Sequence, residues 1–326
     1  IIVNSNTETG SKMIEELNNT ESESDLSLQV ISAISEKDTT KLNTLSENNK
    51  EQIEKLTETA IKNADASEES ADLIAKVVAV ASDELVNKVV EEVSKNSTDE
   101  NQALSAKVMK SIVETNSNKI EILSDQNKET IISQTIEAAK NQAEGTSTDE
   151  IDLSNTIAEI VTKSDTATAA EVLEILEDVS TESESKLSLS VVSNITKQEN
   201  YEEKIEILSV TSPIVEQSID KLVEKAVENA SSEEDLELVT NIVENSKGTI
   251  SEKVINSANK NNESKKKITE IIVNIIEKNP EKAVEIIDKN ENTNIALETI
   301  KTKIENNEAV TTEDFEDVFD TNVSPN

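Results

Sequence analysis

The chain has 326 residues, with 68 acidic and 31 basic side chains, a net charge of −37 at pH 7, and no His or Cys. Such a charge repels nucleic acid phosphates and anionic membranes, and without Cys neither a disulfide framework nor a thiolate site can form. A chain this acidic, with 1% aromatic residues, would read as disordered were its Ile, Leu and Val not placed at helical spacing.

Only 3 Gly and 3 Pro interrupt the sequence, so strands, hairpins and tight turns are scarce and helices are expected throughout. The opening IIVNSN is expected to be an extended arm or the edge of a preceding unit, which makes Ile1, Ile2 and Val3 candidate interaction residues. SKMIEEL follows as a first helix, and then Leu26, Val30 and Ile34 place an apolar stripe on a helix of about 14 residues. A short helix is expected near Lys41. A longer one follows with Ile53, Leu56, Ala60 and Ile61 on one face, and two more run from Ser67 to Asn96, the second carrying Leu85, Val89 and Val93. Starts are marked by cap residues followed by acids: Ser67-Glu68-Glu69, Thr148-Asp149-Glu150 and Ser231-Ser232-Glu233-Glu234. There the hydroxyl oxygen accepts a free N–H and the carboxylates oppose the positive end of the helix dipole. Pro213 and Pro280 fall where helices should begin, the place where a missing N–H costs least.

The same phrases then recur. LSLQVISAI from Leu26 returns as LSAKVMKSI from Leu104, as LSLSVVSNI from Leu187 and more faintly as ITEIIVNII from Ile268, at steps of 78, 83 and 81 residues. KLNTLSENN from Lys41 returns as KIEILSDQN from Lys119, KIEILSVTS from Lys204 and, more loosely, KAVEIIDKN from Lys282. A superrepeat of roughly 80 residues therefore spans 1–306, with copies starting near 22, 99, 182 and 264 and the first and last incomplete. Residues 307–326 depart from it as a tail or cap. The chain is expected to begin and end mid-superrepeat and, since it starts at Ile1 rather than Met, to be a processed product or a piece of something longer.

Single-striped helices of this length are marginal alone and must pack on neighbours. Short links fold successive helices back on one another, and stacked pairs make an extended array. The expected fold is an all-α solenoid of antiparallel helices. Units with a short first helix resemble armadillo repeats and two-helix units resemble HEAT repeats, a resemblance carried by period and helix length and by no signature residue. A long coiled coil fits less well, because heptads are not sustained and caps interrupt the pattern about every 15 residues.

No catalytic set can be assembled. No GxSxG or SxxK context holds a strained serine nucleophile, and glycines at 10, 145 and 248 cannot make a phosphate loop. The chain is expected not to be an enzyme and to hold no cofactor. Its densest acidic clusters are Glu21 to Asp25, Glu182-Ser183-Glu184, and Glu313-Asp314 with Glu316-Asp317. They lack the EF-hand loop and read as solvated helix starts, with weak nonspecific Ca²⁺ or Mg²⁺ association and no metal site. Glycosylation sequons stand at Asn18, Asn96, Asn194, Asn229, Asn262 and Asn322, as a composition rich in Asn, Ser and Thr generates freely. In the tail, Phe315 and Phe319 share a helical face, either as a cap on the solenoid end or as anchors inserted into a neighbouring copy.

Two classes of function follow. One is a secreted or surface-displayed structural protein that assembles with copies of itself into a filament, lattice or stalk. The other is an intracellular solenoid that binds a basic peptide or protein. Nucleic acid and membrane insertion are not expected, the strongest apolar run, VVAVA at 77–81, being far short of the roughly 20 residues a bilayer requires. Asn side chains lining one stripe copy after copy would favour peptide capture. Apolar residues left exposed on the first and last helices would favour end-to-end assembly.

Overall fold

The computed structural model describes residues 2–19, 24–37, 44–45, 50–62, 64, 67–95, 99–145, 152–176, 181–199, 201, 221–222, 225, 232–245, 275, 279–289, 295–310 and 314. Among these the protein is all-α, with no strand. After a 3₁₀ turn, Ile2–Asn4, come α1 (Thr7–Asn19), α2 (Ser24–Lys37), α3 (Lys50–Lys62), α4 (Glu68–Val80), α5 (Asp83–Lys95), α6 (Asp99–Asn116) and α7 (Asn118–Glu121). They are followed by α8 (Asp125–Ala143), α9 (Leu153–Lys163), α10 (Thr166–Leu176), α11 (Glu182–Lys197), α12 (Glu233–Asn245), α13 (Pro280–Lys289) and α14 (Ile295–Glu305). The chain divides into two compact units, Ile1–Val172 and Leu173–Asn326.

Helix starts follow the local chemistry. Ser67 caps α4, its hydroxyl accepting the N–H of Ser70. Thr181 caps α11 with a full capping box, Glu184 N–H to the Thr181 hydroxyl and Thr181 N–H to the Glu184 carboxylate. Ser232 and Asp235 make the same reciprocal pair at α12, and Pro280 is the first residue of α13. The cap of α9 is Asp152, whose carboxylate accepts the Asn155 N–H; Thr148 to Glu150, and Pro213, lie outside the described residues.

Some helices, such as α4, α9 and α11, leave through an extended residue (Ala81, Ser164, Gln198), while two ends close through a left-handed one. Gly145, at φ 71°, ends α8 with its N–H on the Gln142 carbonyl. Asn307, at φ 55°, does the same for α14: its N–H reaches the Ile304 carbonyl and the Glu308 N–H reaches that of Lys303, a Schellman closure built on Asn instead of Gly.

In the first unit the helices pack in two series. In one, α1 packs on α3, α3 on α5 and α5 on α8; in the other, α2 packs on α4, α4 on α6 and α6 on α9. The series are joined where α2 meets α3, α4 and α6 meet α5, and α6 and α9 meet α8. Aliphatic side chains fill most of the seams, with buried polar ones such as Thr57, Ser105 and Gln134 among them. Ile53, Leu56, Ala60 and Ile61 of α3 are all at most 3% exposed, as are Leu85, Val86, Val89, Val90 and Val93 of α5. On α2 the buried line is Ile31 and Ile34, with Val30 only half-buried at its flank. Helix α6, contacted from several sides, buries every residue from Leu104 to Met109. Each fully buried Leu, Ile or Val contributes about 1.5–3 kcal/mol relative to an exposed one, so the β-branched aliphatics carry the stability that aromatics supply elsewhere.

The second unit shows α11 packed on α12 and α13 on α14. Tyr201, the one tyrosine, is buried and donates its hydroxyl to the Asn245 carbonyl at 3.3 Å. Lysines 301 and 303 pair with Asp288 and Asp314.

Candidate functional site

The first 3₁₀ turn packs on α1 and α2. Ser5 donates its hydroxyl to the Ile2 carbonyl at 2.7 Å, and Ile2 is half-buried. Gly10 of α1 permits this approach: a Cβ there would meet Ser5 Oγ at 3.2 Å, Leu45 Cδ2 at 3.5 Å and Ile2 Cγ2 at 3.6 Å. Ile2 and Val3 thus belong to a turn folded back on the chain's own helices. Ile1, Phe315 and Phe319 lie outside the described residues.

The acidic clusters have local roles where they are described. Glu184 belongs to the α11 capping box, Asp25 is the second residue of α2, and Asp314 accepts Lys303. Residues 20–23, 313 and 316–317 lie outside the described residues. Among the described residues no group of three acidic side chains is placed to hold a metal ion, and no helix is long and apolar enough to cross a membrane. Of the sequons, Asn18 has its side-chain nitrogen engaged, donating to the Gln52 carbonyl at 2.9 Å, and Asn194 is half-buried on α11. Asn96, Asn229, Asn262 and Asn322 lie outside the described residues.

The most developed polar chemistry lies in the seams between successive helices of the α1, α3, α5, α8 series. Asn87 on α5 is its centre. The Asn87 Nδ2 donates to the Ile122 carbonyl at 2.9 Å and to the Asp83 carbonyl of its own helix, while Oδ1 accepts the Ser124 N–H at 2.6 Å. Asn127 Nδ2 donates to the Asn87 carbonyl at 2.9 Å and to Asn87 Oδ1 at 3.2 Å. Ser124 is also the N-cap of α8, its hydroxyl accepting the Asn127 N–H. One asparagine therefore fixes where α8 starts relative to α5. Further along this seam Gln134 donates to the Ser94 carbonyl at 2.9 Å and accepts the Ser105 hydroxyl at 2.7 Å, joining α8 to α5 and α6. Lys119 donates to the Ala81 carbonyl at 2.9 Å. In the other series Ser111 of α6 donates to Asp72 of α4 at 3.0 Å.

Apart from Ser105 to Gln134, which are 29 residues apart, these links have similar sequence separations. They join residues 34 to 40 apart, from Asn18 to Gln52 and Lys50 to Glu84 through Asn87 to Ile122, Asp72 to Ser111 and Ser94 to Gln134. Asn18, Asn87 and Asn127, rather than lining a stripe open to a peptide, donate to the backbone carbonyls of Gln52, Ile122 and Asn87. Sequence reasoning missed this role, because Asn18, Asn87 and Asn127 fall at different places in their helices and an amide bonded to backbone carries no mark in a chain rich in Asn.

On α5 the lysines Lys88 and Lys95 both pair with Glu91 and Glu92. Burial pushes the Glu92 carboxyl up, but hydrogen bonds from Lys88 at 2.8 Å and Lys95 at 2.6 Å, with their positive charge, outweigh it and hold it below the ordinary carboxylate range. Lys95 is raised in turn by its hydrogen bonds to Glu91 and Glu92. Lys50 is raised by its bond to Glu84, a pair that bridges α3 and α5 at the surface.

At the ends, apolar exposure is modest among the described residues. Ile14 of α1 is fully buried and Met13 and Leu17 are half-buried; on α14, Ile300 is buried and Ile304 half-buried. The protein is an all-α chain whose developed polar features are helix-to-helix seams. No protein-family model matches it, and a comparison with curated proteins finds no match.

Proposed function

We propose that this chain is a non-enzymatic structural protein: an acidic α-solenoid with an 80-residue superrepeat, secreted or surface-displayed, that assembles with copies of itself into a filament, lattice or stalk. The observation that supports it most is the similar sequence separation of most seam links. Links at 34 to 40 residues, about half the sequence step, are what a stack of helix hairpins generates when each hairpin meets the next in the same way. The run of helices in 99–176, long, short, long and then two more, follows the order expected from 24 to 95. Occupation of Asn18, Asn87 and Asn127 within the seams removes them from a peptide-capturing face and weighs against the intracellular binding reading. The acidic surface suits a salty exterior, where the Debye length falls to about 3 Å near 1 M salt and like charges on neighbouring copies no longer repel at range.

The test is sedimentation velocity and electron microscopy of the purified chain from 0.02 to 1 M NaCl, with and without Ca²⁺ (concentrations chosen about the Debye scale). Ordered species well above the 35.6 kDa monomer are expected as salt rises. A monomer under every condition refutes self-assembly and leaves capture of a basic protein, tested by pull-down, as the reading to pursue.

A further inference from the structure

We draw no further inference here: the strongest candidate, the buried Ser94, Ser105 and Gln134 cluster in the seam between α5, α6 and α8, carries nothing because its hydrogen bonds are spent on joining those helices and the one unpaired hydroxyl, that of Ser94, does not define a ligand.

Discussion

Replacing Asn87 by Ala tests whether polar seams hold successive helices in register. The substitution removes three links between α5 and the α7–α8 segment: Nδ2 to the Ile122 carbonyl, the Ser124 N–H to Oδ1, and Asn127 Nδ2 to Oδ1. Each such bond is worth about 0.5–1.5 kcal/mol net. Because Asn87 is half-buried and Ser124 exposed, water can reach part of what is left unpaired, so the lower half of the range applies. The expected loss is about 1.5–3 kcal/mol. Unfolding should be followed by far-UV circular dichroism in urea, since there is no Trp to report by fluorescence. Asn118→Ala, an exposed asparagine on α7, is the control and should stay within about 0.5 kcal/mol of the parent. Adding Asn127→Ala completes a double-mutant cycle, and a coupling of at least about 0.5 kcal/mol is expected for groups in direct contact. Amide exchange at Ser124 supplies a local readout, because its N–H loses its only side-chain acceptor named above and should exchange faster. A loss no larger than that of Asn118→Ala, with no coupling and unchanged exchange at Ser124, would refute the seam argument.

Other parts of the molecule give equally direct tests. Ile132→Ala and Ile157→Ala, each at a fully buried site on α8 and α9, should cost about 2–5 kcal/mol in urea denaturation, whereas Lys55→Ala on the exposed face of α3 should be near neutral. Thr181→Ala removes the α11 capping box and should cost about 0.5–2 kcal/mol; Thr181→Ser, which keeps the hydroxyl, should recover most of it, and equal losses for both would sink the cap assignment. Glu92 has a folded pKa below its unfolded value, so its contribution is present above the ordinary carboxylate range near 4.3 and is lost as pH falls through the folded value. Glu92→Gln should therefore destabilise at pH 7 and converge on the parent as pH drops below about 4; a constant gap down to pH 3 would contradict the ion-pair account. Stability of the parent should rise between 0.02 and 0.5 M NaCl as salt screens a net charge of −37, and a fall would show that attractive pairs such as Lys50–Glu84 outweigh the general repulsion.

Helix content and most helix caps were legible in the sequence because both are short-range, although α9 is capped by Asp152 and not by the Thr148-Asp149-Glu150 start. The periodic placement of Ile53, Leu56, Ala60 and Ile61 sets which side of α3 is buried whatever packs against it, and Ser67 or Ser232 needs only its next three residues to cap a helix. Where a flanking residue decides the matter, the pattern misleads slightly. Val30 keeps the i+4 spacing of a core position, yet Ile31 is buried and Val30 only half-buried on a helix that packs on both α3 and α4. The seams were not legible at all. Nothing in the identity of Asn87 distinguishes a surface amide from one bonded to Ile122 and Ser124, since both partners are backbone groups and any sequence supplies them. That same independence from partner identity is what a repeat array needs. An amide that bonds backbone tolerates drift in the residues opposite it, so loosely matching copies can keep one stacking register while their side chains diverge.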